Sequence, residues 1–149
     1  MNTLLWIGAG FVLGILFIGI TRYVVERRLR KATAKVALWT GKPVPRVSID
    51  WALLMDRTLC GYYEHDTGDI KISPWLSSSW TEYVVLHELG HRCHEHTGGD
   101  TEVSYILEEL DAEEFSAKYL PQGHPCEEHL ADILDYWHQE WARWKSADA

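Results

Sequence analysis

The stretch "YVVLHELGHRCHEH", residues 83–96, decides how the rest of the chain is read. It carries four of the 8 histidines, and two of them, His87 and His91, stand four residues apart with Glu88 between them. Residues at that spacing share one face of a helix, with Cβ atoms ~5–6 Å apart. Two imidazoles so placed reach one zinc ion at ~2.0–2.1 Å. Glu88 is turned about 100° from His87, off the ligand plane but placed to hold a water beside the metal. The pattern therefore predicts a zinc site with His87 and His91 as ligands and Glu88 as general base. A plain histidine-rich polar face is the rival reading, and it leaves the flanking signals unexplained.

Those signals are local. Ser79-Trp80-Thr81-Glu82 reads as a capping box, so a helix is expected from Trp80 to about His96, stopped by Gly98-Gly99. Upstream, "CGYYEHDTGDIKIS" reads as a hairpin with strands Gly61–Glu64 and Asp69–Ser73 around Thr67 and Gly68. "RVSIDWALL" fits a strand, or a strand entering a helix. A second helix is expected from Thr101 to Leu120, before Pro121, and a third from Cys126 to Lys145. Leu130, Ile133, Leu134, Trp137, Trp141 and Trp144 recur on the third at spacings of three and four, as core and packing surface. An α+β domain over residues 43–149 follows, with a small antiparallel sheet, an active-site helix and a carboxylate-rich helix.

The third ligand is harder to reach. One pattern for such helices places a glycine three residues and a histidine six residues after the second ligand; here those positions are His94 and Thr97. His94 lies nearly two turns from His87, and His94 and His96 read as solvated residues near a helix C-terminus, where a protonated imidazole is favoured. If the next helix returns antiparallel, the level of His91 is regained six to ten residues after Thr101. Glu102 then falls short and Glu113 overshoots, leaving Glu108, Glu109 and Asp111 open.

"HELGH" followed by "ELDAEEFSAKYLP", with "GYY…TGDIKIS" before it, resembles the gluzincin-type zinc peptidases of the ImmA/IrrE-like group over roughly residues 58–121. Minigluzincins share the compact plan. The resemblance implies a zincin-like (minigluzincin-like) fold, a Zn2+ cofactor, and Glu109 as third ligand. It also implies Ala112 as the small residue where the two helices approach, and Glu113 as a carboxylate orienting a ligand histidine. Asp111 stands where the group has a glutamate, and no helix-turn-helix of the kind often fused to it is present.

Three protein ligands leave a fourth zinc position for water. The expected activity is therefore zinc-dependent endopeptidase, with Glu88 as base and the protein or peptide substrate extended along "DIKIS" as an added strand. His124, His129, Tyr105 and Tyr119 are unassigned candidates to stabilise an oxyanion. Two alternatives stand beside this reading: a zinc hydrolase of a non-peptide amide, and a catalytically silent zinc-binding interaction module. A purely structural site needs no base beside an open position, and Glu88 speaks against the latter.

Outside this region the charge is divided. Residues 1–42 carry 7 Lys/Arg and 1 acid, and residues 43–149 carry 7 Lys/Arg and 21 acids, making +6 and −14 of the overall −8. The acidic part repels nucleic acid, which is not expected as a partner. Residues 4–21 lack charge and span about 27 Å as a helix, close to the hydrocarbon thickness of a bilayer. A transmembrane anchor over residues 1–23 and a basic juxtamembrane helix over residues 24–42 are expected. The arginines on the C-terminal flank would place the domain on the cytoplasmic side of the membrane. Gly10 and Gly14 would allow a weak homodimer through the anchor. Cys60, Cys93 and Cys126 make no disulfide framework and are expected as small buried residues.

Overall fold

A computed structural model describes residues 3–56, 58–96, 98 and 101–147, with side chains from Gly14 onward. The elements in chain order are α1 (Thr3–Thr40), β1 (Val47–Ile49), β2 (Gly61–Glu64), β3 (Asp69–Ile72), α2 (Ser78–Cys93), α3 (Glu102–Tyr119) and α4 (Glu127–Ala147). A one-turn 3-10 helix, Trp51–Leu54, follows β1, so "RVSIDWALL" is a strand and then a helical turn.

Alternation along β3 buries Ile70 and Ile72 completely and turns Asp69 and Lys71 outward, as period-two geometry requires. Val85, Leu86 and Leu89 of α2 meet them in one core, joined by Tyr83, Phe115, Leu130 and, from α1, Leu29 and Val36. Each such aliphatic side chain contributes roughly 1.5–3 kcal/mol by leaving water. The sheet order is β1-β3-β2, with β2 antiparallel and β1 parallel to β3. The sheet is therefore mixed, which corrects the antiparallel sheet expected from the hairpin alone. It also puts "DIKIS" in the middle. The strand with a free edge toward α2 is β2, and its Gly61 is held tight: a Cβ there would stand 2.7 Å from Val84 Cγ1 and 2.8 Å from Lys71 O.

The cap of α2 differs from the expected box. Ser77 is the N-cap, accepting from Trp80 N at 3.3 Å, while Ser79 faces Ser77 across 3.2 Å. Glu82 turns inward instead, 2.5 Å from Lys35 Nζ and 3.3 Å from His124 Nε2. Helix α3 starts one residue later than expected, with Thr101 and Ser104 forming a reciprocal cap.

The expected transmembrane anchor, and with it the membrane localisation facing the cytoplasm, is not borne out. Among the described residues, no helix is long and apolar enough to cross a membrane. The earlier part of the expected span, and Gly10 of the glycine pair, lie outside the described side chains. What α1 does show is a stripe of Val25, Leu29, Ala32 and Val36, all at most 6% exposed, at helical spacing. Residues 24–42 thus contribute to the same core as residues 43–149. Of the cysteines only Cys126 is buried; Cys60 and Cys93 are exposed free thiols.

Candidate metal centre

Helices α2 and α3 pack closely because Gly90 faces Ala112: a Cβ on Gly90 would lie 2.9 Å from Ala112 Cα. Ala112 is the small residue that the resemblance implied at the helix approach. One turn before it on α3 stands Glu109. Its carboxylate comes 3.5 Å from His87 Nε2 and 3.7 Å from His91 Nε2, while the two histidine Nε2 atoms are 3.1 Å apart. Ligands at 2.0–2.1 Å around a tetrahedral ion are separated by about 3.3–3.4 Å, near these separations, with Glu109 turning a different oxygen to each histidine and one ligand atom from each residue within 4.8 Å of the others. Of the three carboxylates left open by helix geometry, Glu109 joins the histidines, Glu108 lines the cleft wall, and Asp111 faces His96.

The charges around the triad suit a cation. Burial alone would lower the His87 pKa, but Glu109, Glu113 and Glu88 outweigh it and raise it well above the usual value. His91 is pushed down to about 3, by burial first and then by its charged neighbour His87. The two Nε2 atoms, 3.1 Å apart, are within hydrogen-bond distance of each other. Glu88, 6% exposed, is raised to about 7, chiefly by burial, while the Tyr63 backbone N–H donates to it. Three carboxylates around one proton make a pocket whose charge a dication would balance.

Behind the triad, the other nitrogen of each histidine faces a further side chain. His87 Nδ1 lies 3.2 Å from Glu113 Oε1, an ion-pair distance at which the geometry makes no hydrogen bond. Glu113 is fixed in turn by the Tyr83 hydroxyl, which donates to its two oxygens at 2.7 and 2.8 Å. Burial, and then the Glu113 charge, hold the Tyr83 phenol far above its ordinary range, so it stays a donor. Tyr83 was not picked out from the sequence, although its position four residues before His87 on the same helix face was the available signal.

His91 Nδ1 lies 2.9 Å from His96 Nδ1, and His96 Nε2 lies 3.4 Å from Asp111 Oδ2. His96 is therefore not a solvated bystander. Its side chain is 7% exposed. The reason is the end of α2: Glu95 takes a left-handed φ of 57°, its N–H bonds Arg92 O at 3.2 Å, and the His96 N–H bonds His91 O at 3.1 Å. That reversal lays His96 back over His91. His94 remains 41% exposed at its side chain, 3.8 Å from Asp111 Oδ2.

The triad opens into a cleft of about 480 Å³, bordered by β2, His65, Tyr105, His129 and Trp137. A larger groove of about 650 Å³ between α1 and β1 holds none of these groups, so chemistry rather than volume selects the smaller one. Of the oxyanion candidates, Tyr105 and His129 border the cleft. His124 is engaged with Glu82 and edge-on to Trp39, and Tyr119 packs on Phe115. No known protein family, curated protein or solved structure matches the chain.

Proposed function

We propose that the protein is a zinc-dependent endopeptidase with His87, His91 and Glu109 as ligands and Glu88 as general base. The observation that carries this reading is the triad itself: three residues from two helices whose ligand atoms all lie within 4.8 Å of one another, with a buried carboxylate beside them in an open cleft. Bound zinc would supply a Lewis acid that polarises a carbonyl and acidifies water. Glu88, buried beside the triad, takes the proton of the attacking water and delivers it to the leaving amine. Glu113, held by Tyr83, fixes the ring of His87. An extended peptide would lie along the free edge of β2, in place of the central β3, with Tyr105 and Trp137 on the opposite wall.

The test pairs metal content with cleavage of an unstructured protein, for wild type and Glu88→Gln. The expected result is zinc in both and cleavage only in wild type. Two zinc-loaded proteins that are equally inactive on several unstructured substrates would instead mark a binding module. Cleavage of small amides but not of peptides would mark a non-peptide hydrolase.

A further inference from the structure

His94, His96 and Asp111 form a second cluster on the far side of His91. His96 Nε2 is 3.4 Å and His94 Nδ1 3.8 Å from the same Asp111 oxygen, and all three ligand atoms lie within 4.8 Å of one another. Two imidazoles and one carboxylate suit borderline divalent ions such as Zn2+ and Co2+. The cluster adjoins an open cleft of about 280 Å³ lined by Cys93, His94, Asp111 and Glu114, so an ion has a path in and water can complete its shell. Lys42 and Lys118 line the same cleft and oppose a cation, which sets this site below the first in affinity.

The two clusters share a hydrogen-bond chain. For His91 to offer Nε2 to a metal, its proton must sit on Nδ1 and be donated to His96 Nδ1, 2.9 Å away. His96 then carries its own proton on Nε2 and donates it to Asp111. A metal on His96 Nε2 displaces that proton to Nδ1, where it meets the His91 proton head on. One of the two rings must then turn or change tautomer.

We propose that His94, His96 and Asp111 are a second, weaker divalent-metal site whose filling loosens the first. The loosening rests on the zinc reading of the first site; the existence of the second site does not. Because coupling is reciprocal, an ion at either site weakens the other.

Equilibrium dialysis of the full chain against Zn2+ and Co2+, from submicromolar to millimolar concentration, tests both parts. In wild type a second equivalent should bind weakly. In His94→Ala, which alters an exposed ring outside the triad, that equivalent should vanish and the first should keep its affinity. In Glu109→Gln, which disables the triad, the remaining site should tighten by roughly tenfold or more. Saturation of wild type at one equivalent, or a second equivalent that persists in His94→Ala, overturns the second site. Unchanged second-site affinity in Glu109→Gln, with the first equivalent lost, overturns the coupling. Loss of the weak equivalent in His94→Ala, in a protein that never had a tight one, supports the second site while removing the zinc reading of the first.

Discussion

Replacing Gly90 with alanine tests whether the close approach of α2 and α3 sets Glu109, the proposed third ligand. The added Cβ would stand 2.9 Å from Ala112 Cα, 3.1 Å from Ala112 O and 3.3 Å from Ala112 Cβ. Carbon atoms prefer ~3.5–4.0 Å, so the helices must part by roughly 0.5–1 Å, and two of the three obstructing atoms are backbone. Alanine gains about 0.8–1.0 kcal/mol in helix propensity over glycine, while overpacking of this kind costs about 1–3 kcal/mol. The expected net loss of stability is therefore small, about 0–2 kcal/mol. Metal binding has no such compensation. Glu109 is one turn from Ala112 and already 3.5 and 3.7 Å from the histidine nitrogens, so the shift carries it outward. A loss on the order of 10- to 100-fold in zinc affinity is expected, as for disturbed ligand support elsewhere. Competition against a chromogenic chelator measures it, with thermal unfolding of the metal-free protein as the control. Adding Ala112→Gly should rescue only partly, because it removes the 3.3 Å contact and leaves the two shorter ones. A folded Gly90→Ala protein with wild-type zinc affinity would refute the reasoning.

Zinc binding should release protons at neutral pH. The raised pKa of His87 means its proton is present before binding and must leave, and the cation also completes the ionisation of Glu88 from a pKa near 7. About one to one and a half protons are expected at pH 7, with affinity rising with pH, and calorimetry in buffers of different ionisation enthalpy would show it; heats independent of buffer would contradict it. His96→Gln keeps an acceptor for His91 Nδ1, whereas His96→Leu removes it, so zinc affinity should fall about 10- to 100-fold in the leucine variant and recover substantially in the glutamine one. Equal loss in both, read from affinity and the Co2+ absorption spectrum, would mean that His96 only packs. Leu86→Ala deletes a fully buried side chain between α2 and the sheet and should destabilise the fold by about 2–5 kcal/mol, measured by urea unfolding. A loss under 1 kcal/mol would deny Leu86 its place in the core.

Local spacing carried much of the site. His87, Glu88 and His91 are legible from one helical turn, and Glu109 needed the likeness to a known helix pattern because three neighbouring carboxylates fit the same rise. The hairpin of β2 and β3 was legible because its turn is local. The partner of β1 was not, since a parallel pairing joins residues over twenty positions apart, Val47 with Ile70, and no turn residue signals it. His96 was hidden for a different reason. Chain reversals at helix ends usually show a glycine, and here Glu95 takes the left-handed conformation, so nothing in the residue types announced that His96 folds back. The buried stripe of α1 was masked by the arginines around it, which drew the reading toward a membrane flank.

That stripe has a consequence for how the protein can be taken apart. Val36 is wholly enclosed, Lys35 holds Glu82 near the start of α2, and Arg28 donates to the Pro74 carbonyl at 2.7 Å just before it. The helix that bears His87 and His91 is thus roofed by a segment more than forty residues earlier in the chain, beyond a glycine and two prolines that look like a natural seam. The chemistry-bearing region is not a cassette. A fragment cut at that seam, or a graft of residues 58–121 into another scaffold, would expose the back of α2 to water and leave Glu82 without its lysine. Whatever module natural or laboratory recombination moves, it must take the latter half of α1 along.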